Sequence, residues 1–254
     1  MVQELDVAKY YSQVFDNYPQ VFELETKYYE YFPEYSREMG YRVFTSEGEY
    51  WIRHDILPMK VEILKKKVNE MVKVLEKKHG KGKFCMEVHV STCLKLGGDV
   101  KQVELFVDFD RKVDDRYTAL AESFPEAEAV SVLFGYKNIL AYSGNKSWHV
   151  IIPAYMIGMK EIDVDTLDAV AKILQVLKVQ TTRKEGSSIN TYRFTLADLD
   201  TQALSPCHMR RMLLSLNCKG SVEIPVKGGV KSVLQKGIKY YIELAEKVKR
   251  ALST

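Results

Sequence analysis

Apolar residues fall at Leu64, Val68, Met71, Val72 and Leu75 with lysines on the remaining faces, a three-to-four-residue spacing that predicts an amphipathic helix. Leu167, Val170, Ile173, Leu174 and Leu177 predict a second helix on one stripe. Elsewhere the rhythm shortens. "YRVFTSEGEYWIRHDI" predicts two short strands around a turn at Glu47 to Glu49, with Arg53 toward the end of the second, and "FCMEVHVS" and "QVELFVDFD" predict two more. "DRYTALAESF" reads as an amphipathic helix, and "NILAYSGNKSWHVIIPA" as strand, polar glycine-containing turn, strand. "TYRFTLADLD" is strand-like, "SPCHMRRMLLSL" predicts a helix, and "SVEIPV" a short strand. The opening segment is tyrosine-rich and helical in pattern, broken at Pro19 and Pro33, and reads as a packing layer and a candidate surface for a partner.

No repeat, low-complexity linker or Pro/Ser-rich boundary divides the chain. One domain is expected: a helical layer over about residues 1–40, a core over about 41–226 and a basic C-terminal helix over about 227–254. Interleaved strands and helices point to an α/β or α+β sheet with helices packed against it.

The strand "VELFVDFD" ends in two carboxylates. Alternation sends Leu105, Val107 and Phe109 to one face and Asp108 and Asp110, beside Phe106, to the other. Two carboxylates held together raise each other's pKa unless a cation lies between them or both are well hydrated, so the pattern admits a divalent metal or a simply exposed strand end. By itself D-x-D does not decide between them.

Composition adds bounds. The chain has 254 residues, 46% of them hydrophobic, enough for one sizeable core, and its net charge of +3 is too small to dictate a partner. "KKKVNEMVKVLEKKHGKGK" and "KGIKYYIELAEKVKR" are locally basic, as solvated helix faces often are. Cys85, Cys93, Cys207 and Cys218 include no C-x-x-C pair, which argues for a reducing compartment and against a zinc knuckle or a disulfide framework. Cys85, His89 and Cys93 have a helical ligand spacing, but their segment is β-prone, which favours structural roles. No signal peptide is expected from the opening residues, and no apolar run comes near the roughly 20 residues of a membrane span. The expectation is an intracellular, cytoplasmic protein, or a nuclear one if eukaryotic.

"SGNKSWH", Ser143 to His149, supplies a hydroxyl, a glycine that lets backbone approach a ligand, a lysine and a strand histidine. These groups suit a phosphate: Lys146 adds charge and His149 can donate a charge-assisted bond to an oxyanion. "DLDTQALSPCHMRRMLLSLNCKG" then brings a third acidic position and the basic residues Arg210, Arg211 and Lys219. Three acids to hold metals beside phosphate-binding groups are what two-metal nucleotidyl transfer needs.

With these residues in view, the chain resembles the catalytic small subunit of archaeo-eukaryotic DNA primases and the primase-polymerase superfamily around it. That family carries a hydrophobic strand ending in D-x-D, a serine-glycine turn leading to histidine, and a strand ending in hydrophobic-Asp followed by a basic stretch. Here "LFVDFD", "SGNKSWH" and "DLD" with "HMRRMLLSLNCKG" stand in that order, and "KYYEYFP" and "YWIRHDI" look like the family's tyrosine/phenylalanine-proline segment and its arginine-bearing strand. The resemblance covers most of the chain. It implies an α+β primase-polymerase fold, with a central mixed or antiparallel sheet, an RRM-like catalytic module and helices around it. It implies that Asp108 and Asp110, with Asp200 as third acid and Asp198 as its rival, hold two Mg²⁺ or Mn²⁺ ions. It implies that Ser143, Gly144, Lys146, His149, Arg211, Asn217 and Arg53 bind the incoming nucleotide. Two departures stand out: no zinc-binding cluster is visible, so no structural zinc or zinc module is expected, and Asn217 replaces a family histidine.

The activity implied is synthesis of short RNA or DNA primers on single-stranded DNA from NTPs or dNTPs. A large primase subunit or accessory domain, docking on the N-terminal layer, would hold the second nucleotide at initiation. The source implied is a reduced cellular small subunit or a plasmid or viral primase. A gap-filling polymerase of the end-joining kind shares the fold. A metal-dependent glycosyltransferase would use D-x-D but gives "SGNKSWH" and Asp200 no joint task. A non-catalytic nucleic-acid-binding subunit would not need every acid.

Overall fold

The computed structural model describes residues 5–111, 113–163, 165–170, 172–173 and 207–253. Six helices and nine strands are named among them. Helices α1 (Val7–Asn17) and α2 (Pro19–Thr26) open the chain, followed by the hairpin β1 (Ser36–Thr45) and β2 (Gly48–Ile56). Helix α3 (Val61–His79) leads to β3 (Cys85–Leu96), β4 (Asp99–Gln102) and β5 (Glu104–Phe109). Helix α4 (Arg116–Leu133) precedes β6 (Ile139–Tyr142) and β7 (Trp148–Pro153), and the last part holds β8 (Met209–Arg211), β9 (Ile224–Pro225), α5 (Gly229–Lys236) and α6 (Ile238–Ser253).

The α+β class and the helices packed around antiparallel strands match the expectation. The strands divide between two sheets. One runs β2-β1-β3-β4, with β8 on the edge of β3; the other runs β5-β7-β6-β9, and every pairing is antiparallel. Both turn their apolar faces into one core. Met39, Tyr41, Val43, Val88 and Val90 from the first sheet join Leu105, Val107, Phe109, Val150 and Ile152 from the second, with Leu64, Val68, Val72 and Leu75 of α3 packed among them. The alternation read from "VELFVDFD" is therefore the alternation that builds the core. Residues 165–170 are helical, as the periodicity requires, while the whole of "TYRFTLADLD" lies outside the described residues.

The tyrosine-rich start is chiefly a packing layer. Tyr10, Tyr11 and Tyr28 are fully buried. The Tyr10 hydroxyl donates to the Leu214 carbonyl at 2.7 Å and that of Tyr11 to the Met86 carbonyl at 2.8 Å, which ties α1 to both β3 and the segment after β8. Buried phenols need such partners.

Two expectations are corrected. The described part of "SPCHMRRMLLSL", from Cys207 on, is not a helix: it holds the strand β8 and then an irregular buried run, Met212 to Leu216. Its helix propensity loses to tertiary pairing, because β8 adds to the free edge of β3 in the register His89 to Arg211 and Val90 to Arg210. The second correction concerns the cysteines, which form two disulfides, Cys85–Cys218 and Cys93–Cys207. The cysteine argument for a reducing compartment falls with that. Sequence separations of 133 and 114 hid both pairs, and only the docking of residues 207–218 along β3 brings their Cα atoms to 5.8 and 4.8 Å. Among the described residues no helix is long and apolar enough to cross a membrane.

Candidate active site

Antiparallel pairing of β5 with β7 sets Asp108 directly opposite His149 and Phe106 opposite Ile151, on the sheet face turned away from the core. Asp108 keeps 29% of its side-chain exposure, and Asp110, one residue past the strand, is exposed. The His149 ring is buried, with Nε2 3.6 Å from Asp108 Oδ1 and Nδ1 3.0 Å from Glu223 Oε1. Its edge meets Phe106 at a centroid distance of 5.0 Å, which fixes the plane of the imidazole.

Glu223, fully buried just before β9, joins this pair to Arg211. Arg211 Nη1 lies 3.8 Å from Glu223 Oε2, and Nη2 lies 3.4 Å from Glu87 Oε2. Glu87 is also within 3.2 Å of His89 Nε2 and accepts from the Cys218 N–H at 2.8 Å. One chain of charge thus runs from β3 of the first sheet, through β8, to β7 and β5 of the second.

The turn after β6 is locked from below. Ser143 Oγ accepts from the Ser147 N–H at 3.2 Å, and the Ser143 carbonyl accepts from Arg211 Nη1 and from Asn217 Nδ2, both at 3.1 Å. Gly144 has φ +82°, and a Cβ there would stand 2.8 Å from the backbone of Val222, so glycine is required twice over. The Ser221 N–H donates to the Gly144 carbonyl at 2.6 Å. Lys146 stands nearer solvent, its ammonium 3.8 Å from Asp114.

Burial shapes the electrostatics. It pushes the Asp108 carboxyl up, against the pull of His149. For His149 burial works downward, but Glu223 and Asp108 outweigh it and the imidazole is raised, which favours the imidazolium. Burial holds His89 down at about 4, so it is neutral near pH 7. Glu87, whose burial alone would raise it, is brought to about 2 by the His89 hydrogen bond and the Arg211 charge.

The site therefore gathers Asp108, Asp110, Ser143, Gly144, Lys146, His149, Arg211 and Asn217. Arg53 stands apart on β2, 3.5 Å from Glu38. Asp200 and its rival Asp198 lie outside the described residues. Sequence reasoning missed Glu87 and Glu223, and it weighed His89 only in a set with Cys85 and Cys93. Their signal was weak but present: polar residues at alternate positions in the otherwise apolar "MEVHV", and a single acid inside "SVEIPV".

Asp108 and Asp110 fit a divalent cation. Asp108 Oδ1 is buried without a hydrogen-bond partner among the described residues, as is Glu223 Oε2. Among the described residues three carboxylates, Asp108, Glu87 and Glu223, lie against one guanidinium, Arg211, and the His149 imidazolium, so acids exceed cations. Among the described residues no group of three or more His, Cys, Asp or Glu is placed to hold a metal ion, and the third acid of the resemblance lies outside them.

No protein-family profile matches the chain, and no curated protein sequence does. Among solved structures the chain is similar to the polymerase domain from Mycobacterium tuberculosis Ligase D in complex with DNA, at 14% identity and a TM-score of 0.53, over 98% of each chain. It is also similar to the catalytic domain of primase RepB' in complex with initiator DNA, at 10% identity and a TM-score of 0.39, over 91% of this chain and 95% of that one. The first likeness establishes the fold of that polymerase domain and nothing finer.

Proposed function

We propose that the chain is a nucleotidyltransferase that extends or initiates short RNA or DNA primers on single-stranded DNA. One observation carries the reading: the cross-strand pair Asp108 and His149 lies at the centre of a network that reaches both the locked "SGNKS" turn and Arg211. A carboxylate pair, an imidazolium, a lysine and a guanidinium on one face are the groups that a nucleoside triphosphate meeting a hydroxyl nucleophile calls for.

In this reading Asp108 and Asp110, with an acid from the segment holding Asp198 and Asp200, hold Mg²⁺ or Mn²⁺. Such ions, when bound, supply charge stabilisation at the reacting phosphate and its pyrophosphate leaving group. The chain's own groups do the rest. His149, kept protonated by Glu223, donates from Nε2 to a phosphate oxygen. Lys146 adds a mobile charge from the turn. Arg211, oriented by Glu87 and the Ser143 carbonyl, presents a fixed one. Ser143 and Asn217 act beneath the ligand, the hydroxyl closing the turn and the amide buttressing its carbonyl, which is a different task from direct contact with nucleotide. No zinc module enters the scheme.

A gap-filling reading has support in the likeness to a ligase-associated polymerase domain, which extends over nearly the whole of both chains. Primer synthesis on single-stranded DNA by the isolated chain, with and without a supplied primer and with NTPs or dNTPs, separates the two. Products formed without primer support primase; extension only from a supplied end supports the gap-filling polymerase; no metal-dependent incorporation at all overturns the nucleotidyl-transfer reading.

A further inference from the structure

The outer face of the five-stranded sheet carries an aromatic and basic cluster that the scheme above does not use. Trp51, on β2, is 40% exposed, and its six-membered ring lies across β1 over Gly40. A Cβ at Gly40 would come within 2.9 Å of Trp51 Cζ3 and 3.2 Å of Cε3, so the absence of a side chain is what lets the indole lie down on the sheet. The guanidinium carbons of Arg53 and Arg42 stand 5.5 and 6.0 Å from the indole centroid. Next along β1, Phe44 is flanked by Arg42 at 4.9 Å and by the Lys219 ammonium at 5.7 Å.

This cluster continues into the candidate active site. The His89 ring meets the indole edge-on at 4.7 Å, His89 touches Glu87 at 3.2 Å, and Glu87 touches Arg211 at 3.4 Å. The cations are paired in the free protein, Arg42 with Glu49 at 2.6 Å, Arg53 with Glu38 at 3.5 Å and Lys219 with Glu49 at 3.9 Å, but each pair has at least one side chain more than 40% exposed and holds weakly, Glu38 being shared with Lys95. Three cations around two aromatic rings, with two carboxylates that can swing away, complement a polyanion with flat apolar faces.

We propose that this face is a stacking platform for single-stranded nucleic acid, one base lying on Trp51, with Arg42, Arg53 and Lys219 turned to the adjoining phosphates. Stacking on an indole tolerates any base, and neighbouring guanidiniums add to it through the ring and through the backbone charge. The identification of the bound strand as the template rests on the nucleotidyl-transfer reading; the platform itself does not. Arg53, expected among the nucleotide-binding residues, belongs here with the strand.

The chain holds two tryptophans, and the other reports nothing at the surface: Trp148 is fully buried with its Nε1 donating to the Leu120 carbonyl at 2.9 Å. Intrinsic fluorescence therefore reads Trp51 as the difference between the wild type and Trp51→Phe, which retains only the emission of Trp148. Titration with single-stranded oligothymidylate, in chelator and without nucleotide, is expected to quench it saturably. Trp51→Ala should weaken binding, measured by polarisation of a labelled strand, about 5- to 150-fold. Gly40→Ala, which lifts the indole and leaves every charge in place, should weaken it less and diminish the quenching. Arg53→Gln should lower the salt slope of binding by roughly one. Melting curves matching the wild type establish that the variants fold, and Trp51→Phe, which keeps a ring, should retain more affinity than Trp51→Ala. Strand binding without any change in Trp51 fluorescence, or unaltered affinity in folded Trp51→Ala, overturns the platform. So does quenching that appears on raising protein concentration alone, which assigns the face to a second copy of the chain. Quenching without metal-dependent incorporation retains the platform and sinks the nucleotidyl-transfer reading; incorporation with an unresponsive Trp51 does the reverse.

Discussion

Arg210 and Arg211 are neighbours in β8, yet alternation sends them into two different charge networks. Arg210 enters a closed one. Its guanidinium meets Glu104 at 2.6 and 2.7 Å and Glu25 at 2.6 and 3.0 Å, while Arg37 pairs with Glu104 at 2.9 Å and donates to the Ser91 and Glu25 carbonyls. Two cations balance two carboxylates, all at most 2% exposed. Arg211 enters an open one, where acids exceed cations and Asp108 Oδ1, Glu223 Oε2, Arg211 Nε and His89 Nδ1 have no hydrogen-bond partner among the described residues. The difference teaches that burial of charge does not mark a functional site. An excess of buried acid over cations distinguishes the open network, because uncompensated charge costs free energy that a bound cation can recover, whereas single unbonded atoms do not discriminate, Arg37 Nη2 of the closed network being one as well.

The sharpest break of the comparison is at the open end. Asp108→Asn and Asp110→Asn should each reduce metal-dependent nucleotide incorporation to below about one-thousandth, since each removes a charge that a divalent cation requires. Neither should lower the melting temperature, and Asp108→Asn should raise it, because burial disfavours that carboxylate. Loss of activity accompanied by unfolding would move Asp108 into the structural class.

At the closed network the outcome should be the opposite. Arg210→Met strands Glu104 and Glu25 as buried charges and should destabilise the fold by roughly 3–5 kcal/mol in denaturant titration. Arg211→Met leaves Glu87 with His89 and Glu223 with His149, so it should cost less stability, and it should, with His149→Ala beside it, raise the apparent KM for nucleotide by about one to two decades, the cost of a charge-assisted bond of roughly 1.5–3 kcal/mol. Equal destabilisation by the two arginine variants would erase the distinction between the networks.

Both networks depend on residues 207–218 being held against β3, and the two disulfides clamp that segment at its ends. Replacing Cys207 and Cys218 by serine should cost about 2–4 kcal/mol of stability per bridge. Nucleotide affinity should fall more than single-strand binding, since Arg211 lies inside the clamped segment while Trp51 does not. Thiol titration of the unfolded chain before and after reduction counts the bridges.

The smallest effect is the pH dependence near neutrality. His89 falls from 6.5 to about 4 on folding, so the unfolded chain binds the extra proton and stability declines as pH drops from 6.5 toward 4, by no more than about 1.4 kcal/mol per pH unit. A second decline belongs to the carboxylates. Burial alone would raise Glu104 and Glu87, but Arg210 and Arg37 for the first, and His89 and Arg211 for the second, carry them from 4.5 to about 2. Their contribution is complete above about pH 4.5 and is lost as pH falls toward 2. Glu87→Gln should flatten its share of the acid decline and leave that of Glu104.

The local pattern determined a good deal. Alternation in "VELFVDFD" fixed which side Asp108 and Asp110 take, because a strand offers only two faces and Leu105, Val107 and Phe109 claim the buried one. The β1–β2 hairpin, α3 and the glycine turn of "SGNKSWH" follow from equally short-range stereochemistry, and Trp51 and Arg53 share the exposed side of β2 for the same reason. What the sequence left open was every partner that arrives from afar. Glu223 reaches His149 across 74 positions, Glu104 reaches Arg210 across 106 and Glu25 across 185. The same holds for the disulfide partners and for the strand conformation of "MRR", Met209 to Arg211, which the helix propensity of its segment argued against. Periodicity records which face of an element meets the core; it carries no information on which distant carboxylate will face a given arginine, because that is settled only when the two sheets pack on a common helical layer and β8 closes the edge of β3.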